Sequence, residues 1–249
     1  MKHIIEHFDR TYIINLAERT DRRQEVTREF GKLGIQIPNE RIRFYTAQRP
    51  RERGDFKDIG TRGNFLSHRA VLELAHNEGL RNVLVLEDDV SFREVPEKFA
   101  RSLIARLSEM AWDVVYFGYL TPSDDSLEGS LHPWPNDVLG AHFYAVNEPF
   151  IDTMRKYMHE CELRPRDHPD GGPMTADGAY NHVRYVIEGI RVFLAVPNLA
   201  HQRHSRTDIH DTHFLDKVSW LRPLLRRARA IKHHLRMTID RKKLRSRFD

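Results

Sequence analysis

The chain has 249 residues, 40% hydrophobic and 31% charged, with 13 Gly, 12 Pro and a formal net charge of +4. That balance suits one large α/β domain and excludes collagen-like, low-complexity and wholly disordered chains. A single cysteine, Cys161, excludes an internal disulfide framework and a cysteine-cluster zinc site. No stretch reaches the roughly 20 apolar residues that span a bilayer. The opening Met1-Lys2-His3-Ile4-Ile5-Glu6 lacks the apolar run of a secretory signal, so a cytoplasmic location is expected.

Charge is unevenly spread. Residues 217–249 hold twelve Lys or Arg against Asp240 and Asp249, a net of +10, which leaves residues 1–216 at −6. The expected division is a folded domain over 1–216 and a basic, amphipathic helical tail over 217–249. The acidic body argues against a nucleic-acid partner. In the tail, Leu221, Leu224, Leu225, Ala228, Ile231 and Leu235 recur at helical spacing among arginines. Such a segment suits peripheral attachment to an anionic membrane surface, or packs on the domain.

In chain order, Tyr12–Leu16 is a β-rich run, and Thr20 can cap a helix carrying Val26, Phe30 and Leu33 that Gly34 stops. Arg41–Ala47 reads as a second strand. Gly63–Asn77 is a helix with Leu66, Ala70 and Leu74 on one face, and Val83–Leu86 is apolar on both faces, as a buried parallel strand is. A helix from Pro96 to Met110 and a strand from Asp113 to Phe117 follow. Leu120–Asp137 is a polar loop; Leu139–Val146 reads as a strand, Pro149–Cys161 and Ala176–Ile187 as helices, and Arg191–Val196 as the last strand. The alternation predicts an open, mostly parallel sheet with helices on both faces.

Chemistry concentrates in Glu87-Asp88-Asp89, three acids at the carboxyl end of a buried strand, the rim where open α/β sheets bind ligands. Crowded carboxylates either form a solvated turn or hold a hard divalent cation such as Mg²⁺ or Mn²⁺. Arg22 and Arg23 lie in a helix's first turn, where cations oppose the macrodipole unless a phosphate binds beside them. Gly60-Thr61-Arg62-Gly63 leads to Ser67-His68, a glycine-flanked helix entry that permits close backbone approach. Asp177, at another helix start, either complements the dipole or serves as a general base. His201, His204, His210 and His213 follow the last strand, and one of them could join an oxygen-rich metal site.

These pieces resemble glycosyltransferase family 25, the bacterial lipooligosaccharide-synthesis transferases related to collagen galactosyltransferases. Ile14-Asn15-Leu16 with Arg22, Gly60-x-x-Gly63-x-x-x-Ser67-His68, and Leu86-Glu87-Asp88-Asp89-Val90 resemble its motifs. Trp112-Asp113, Gly140–Tyr144, Asp177 and the run Pro197…Gln202…Ser205…Asp208-Ile209 fall in family order. The resemblance covers about residues 10–210 and implies a GT-A-like fold for the catalytic domain over 1–216. It further implies an inverting transferase moving galactose or glucose from a UDP-sugar to a glycan acceptor on a lipid-linked or lipooligosaccharide chain. Asn15, Arg22, Gly63, Ser67, His68 and Asp88 would bind the donor. Glu87, Asp89 and His204 would hold Mn²⁺ or Mg²⁺, and Asp177 would be the base. Competing expectations are a degenerate nucleotide-sugar-binding protein and a metal-dependent nucleotidyltransferase.

Overall fold

The structure, a computed structural model, describes residues 1–122 and 130–203. The tail and His204 therefore lie outside the described residues. In chain order the elements are α1 (Lys2–His7), β1 (Arg10–Asn15), α2 (Thr20–Lys32), β2 (Ile42–Thr46), α3 (Ile59–Asn77), β3 (Asn82–Glu87), β4 (Val90–Phe92) and α4 (Glu97–Glu109). They continue with β5 (Val114–Gly118), β6 (Leu131–Pro133), β7 (Phe143–Asn147), α5 (Phe150–Leu163), α6 (Ala176–Val186), β8 (Val192–Ala195) and β9 (Ala200–Gln202).

The main sheet has the order β2-β1-β3-β7-β5-β8-β6. Strands β2, β1, β3, β5 and β8 run the same way, while β7 lies antiparallel between β3 and β5 and β6 lies antiparallel on β8. This is the expected open, mostly parallel α/β sheet.

Side chains that alternate along each strand build two cores. On one face Tyr12, Ile14, Val83, Val85, Tyr116 and Tyr144 pack with α3, α5 and α6 through residues such as Phe65, Leu72, Met154 and Val183. On the other, Ile13, Leu84, Leu86, Val115, Phe117 and Phe143 meet Ile4 of α1, Phe30 of α2 and Leu103 of α4. Strand β3 faces both cores, which is why its apolar run is continuous.

Local details differ from expectation at several points. Thr20 is the first helical residue of α2, and the cap position falls on Arg19 without a side-chain cap bond. Gly34 closes α2 at φ +69°, donating its backbone N–H to Gly31 O. Helix α3 starts four residues early, at Ile59, because Asp58 caps it by accepting the Thr61 N–H at 2.6 Å. Its fully buried face holds Phe65, His68, Leu72 and Ala75. The expected stripe Leu66, Ala70, Leu74 lies beside that face; Leu66 and Leu74 are partly buried against the same core. The helix α1 and the three-residue strands β4, β6 and β9 add to the expected elements.

Candidate active site at the carboxyl edge of the sheet

Strands β1 and β3 end together, with Ile14 opposite Glu87, so Asn15 and the acidic turn meet at one edge. Strand β7 enters there from the opposite direction, pairing Phe143 with Leu86, and His142 O accepts the Glu87 N–H at 3.0 Å. The segment 140–142 thus lines the same rim.

Asp88 is held from the β1 side. Asn15 Nδ2 donates to its Oδ2 at 2.7 Å and Arg22 Nη1 to its Oδ1 at 3.0 Å. Arg22 also stands 3.8 Å from Asp89 Oδ2. The charge that looked misplaced against the α2 dipole is therefore spent on the acidic turn. Arg23 instead lies over the Phe44 ring, 4.1 Å from its centroid. Burial still raises the Asp88 pKa, against the pull of Asn15 and Arg22.

Glu87 is held from the α3 side. Its Oε1 accepts from Asn64 Nδ2 at 3.0 Å and faces His68 Nε2 at 3.4 Å, while Oε2 accepts from Gln202 Nε2 at 2.8 Å. Burial pushes its carboxyl up, but the hydrogen bond and charge of His68, with His142 and Asn64, hold it below the usual glutamate value. On the other side of the ring, His68 Nδ1 hydrogen-bonds the Tyr144 hydroxyl at 2.8 Å. Tyr180 donates in turn to the Tyr144 hydroxyl at 3.3 Å.

Asp89 is different. It is 7% exposed, and its Oδ1 is buried without a hydrogen-bond partner. Burial first, then the charges of Glu87 and Asp88, raise its pKa to about 7 against the pull of Arg22. An orphaned buried carboxylate oxygen flanked by two acids fits a hard divalent cation. Among the described residues no three His, Cys, Asp or Glu side chains gather into a metal cage.

Several residues expected to contact the donor are buried. Ser67 is fully buried, donates to Gly63 O at 2.6 Å and accepts the Gln48 N–H at 2.8 Å. A methyl at Gly63 would meet Gln48 O at 2.6 Å, so this glycine lets the β2–α3 loop lie against the helix. His68 has no exposed surface either, and its Nε2 faces Glu87. Gly63, Ser67 and His68 are thus all buried within the fold. Asn64 was not singled out from sequence; the i, i+4 spacing of Asn64 and His68, which aims both at Glu87, was the available signal.

Asp177 reaches this rim. Thr175 caps α6 by accepting the Gly178 N–H at 3.1 Å, and Asp177 Oδ2 accepts the Gly140 N–H at 3.0 Å. Since residues 140–142 run on to Glu87, one short backbone segment joins Asp177 to the acidic turn. Asp177 stays partly exposed.

Residues 8–117, which carry β1 to β5 and the acidic turn, match the family described as Glycosyltransferase family 25 (LPS biosynthesis protein). The resemblance drawn from the motifs thus holds over that segment. A glycosyltransferase 25 family member of Drosophila melanogaster is 28% identical over 127 residues, 44% of this chain and 21% of the relative. One of Drosophila pseudoobscura pseudoobscura is 30% identical over 147 residues, 52% of this chain and 23% of the relative. The human inactive glycosyltransferase 25 family member 3 is 29% identical over 133 residues, 45% of this chain and 22% of the relative. The matched part is about a fifth of each relative's length. Among solved structures, a glycosyltransferase involved in glycosylation of the major capsid of PBCV-1 aligns over 79% of this chain and 94% of its own, at 12% identity and a TM-score of 0.44.

Proposed function

We propose that this protein is an inverting glycosyltransferase that moves galactose or glucose from a UDP-sugar to a glycan acceptor, with Mn²⁺ or Mg²⁺ at Asp89. The observation that carries this reading is the buried, unpartnered Asp89 Oδ1 at the end of β3, inside the segment that matches family 25. Bound there, the cation would supply Lewis-acid stabilisation of the charge on the departing diphosphate. Asn15 and Arg22 fix the Asp88 carboxylate, and Asn64, His68 and Gln202 fix that of Glu87, so the rim is organised before substrate arrives.

Asp177 is the proposed base, taking the proton of the acceptor hydroxyl as it attacks the anomeric carbon. Two backbone N–H groups, of Gly140 and Gly178, hold the two oxygens of its carboxylate in place. Asp177→Asn should lower kcat by roughly 10²–10⁴-fold with donor affinity nearly unchanged. Normal kcat in that variant would remove Asp177 from the role.

The acceptor proposed is a lipid-linked or lipooligosaccharide glycan. No helix among the described residues is long and apolar enough to cross a membrane. A nucleotide-sugar-binding protein without turnover is the second reading, favoured by the name of the inactive human relative. A panel of nucleotide sugars, assayed for release of the nucleoside diphosphate with Mn²⁺ and with EDTA, separates the two. Release from a UDP-hexose in Mn²⁺ supports transfer. Tight UDP binding without release from any donor or acceptor pair supports the second reading.

A further inference from the structure

The acidic turn is gripped from behind by a segment with no assigned role. Strand β9 pairs antiparallel with β4, placing Gln202 opposite Val90 just past the turn. Beyond it, Arg203 reaches three successive carbonyls. Its Nη2 donates to Asp88 O at 2.8 Å, its backbone N–H to Asp89 O at 2.7 Å, and its Nη1 to Val90 O. Its Nε donates to Glu25 Oε2 of α2 at 3.3 Å. Together with the Gln202 bond to Glu87, two consecutive residues hold all four residues from Glu87 to Val90.

Carbonyl oxygens need donors, not a cation, so a neutral side chain could satisfy any one of them. A guanidinium does more. Its rigid fork spans two carbonyls and α2 at once, and its charge stands behind carboxylates that repel one another. A lysine ammonium is a compact point and cannot bridge the same acceptors.

We infer that Gln202 and Arg203 are positioning residues that lock the Glu87–Asp89 turn in the geometry that receives the diphosphate end of the donor. The inference rests on the transferase reading and names residues outside the segment that matches the family.

The test measures UDP affinity in Mn²⁺ by calorimetry for wild type, Arg203→Ala, Arg203→Lys and Gln202→Ala. Arg191→Ala, which breaks a guanidinium–carboxylate pair with Asp113 away from the turn, is the control. Partners that orient binding groups typically contribute 10- to 100-fold, so both Arg203 variants should lose about that much affinity, and Gln202→Ala about tenfold. Millimolar guanidinium should restore part of the loss in Arg203→Ala but none in Arg203→Lys. Arg191→Ala should melt earlier yet bind UDP as wild type does.

A purely structural role would lower the folded fraction without changing the affinity of what remains folded. Folded Arg203 variants with wild-type affinity therefore overturn the inference. Should Arg203→Ala fail to fold, wild-type affinity in both Arg203→Lys and Gln202→Ala overturns it equally. A wild-type protein that binds no nucleoside diphosphate overturns the transferase reading and this role together, whereas an active wild type with unaffected variants overturns this role alone.

Discussion

The carboxyl of Asp89 sits where burial and two neighbouring acids favour its protonated form, raising its pKa from 3.8 to about 7. Across that interval the folded chain holds a proton that the unfolded chain releases, so this group makes stability fall as pH rises from about 4 to 7. In EDTA, Asp89→Asn should therefore resist urea better than wild type near pH 8, by on the order of 1 kcal/mol or more, with the gain shrinking toward pH 4. A variant less stable than wild type at pH 8 would contradict the assigned strain. The hydroxyl of Tyr144 bridges His68 and Tyr180 in full burial. Tyr144→Phe strands the His68 ring nitrogen and should lower stability by about 1–3 kcal/mol. Urea midpoints at constant slope measure it, and an unchanged midpoint would mean the bridge carries no weight.

Helix α3 joins the site to the sheet, and its fit depends on one glycine. Gly63→Ala would push a methyl against Gln48 O at 2.6 Å and Pro50 Cδ at 3.3 Å, so the β2–α3 loop must shift. Overpacking of that kind costs about 1–3 kcal/mol. Gly31, inside α2, meets nothing within 4 Å, and Gly31→Ala should stabilise by about 0.5–1 kcal/mol. Opposite signs in paired urea melts are the expected result. Elements of this length were legible in the sequence from their apolar pattern: β1, β3, β5, α4, α5 and α6 fall within a few residues of expectation. The face of α3 was not, since one of its fully buried positions is a histidine, His68, which apolar period ignores. Strands of three residues, such as β4 and β9, carry no period of 2 to read. Nor does local pattern encode that β7 runs antiparallel, because both directions bury the same Phe143–Val146 run.

At the scale of the whole molecule, one sheet edge collects Asn15, the acidic turn, the 140–142 segment and Asp177. The acids of that site were readable from their place after a buried strand. The supports were not, because Asn64 and Arg203 come from α3 and the end of β9, and only the topology brings them to Glu87–Asp89. The charge asymmetry also belongs to this scale, with +10 on residues 217–249 and −6 on the rest. The full chain should co-sediment with anionic vesicles at low salt, each nearby Lys or Arg contributing about 1 kcal/mol at best, and high salt should release it. Deleting residues 218–249 should abolish the association and leave transfer to a soluble acceptor intact; unchanged sedimentation would place the contact on the body instead.

The central claim is that the end of β3 is a cation-assisted diphosphate site, and a Mn²⁺ titration of UDP release by wild type and Asp89→Asn tests it most directly. Wild-type release should be absent in EDTA and rise to saturation with Mn²⁺, while folded Asp89→Asn stays near background at every concentration. Equal release by both proteins in EDTA would contradict it.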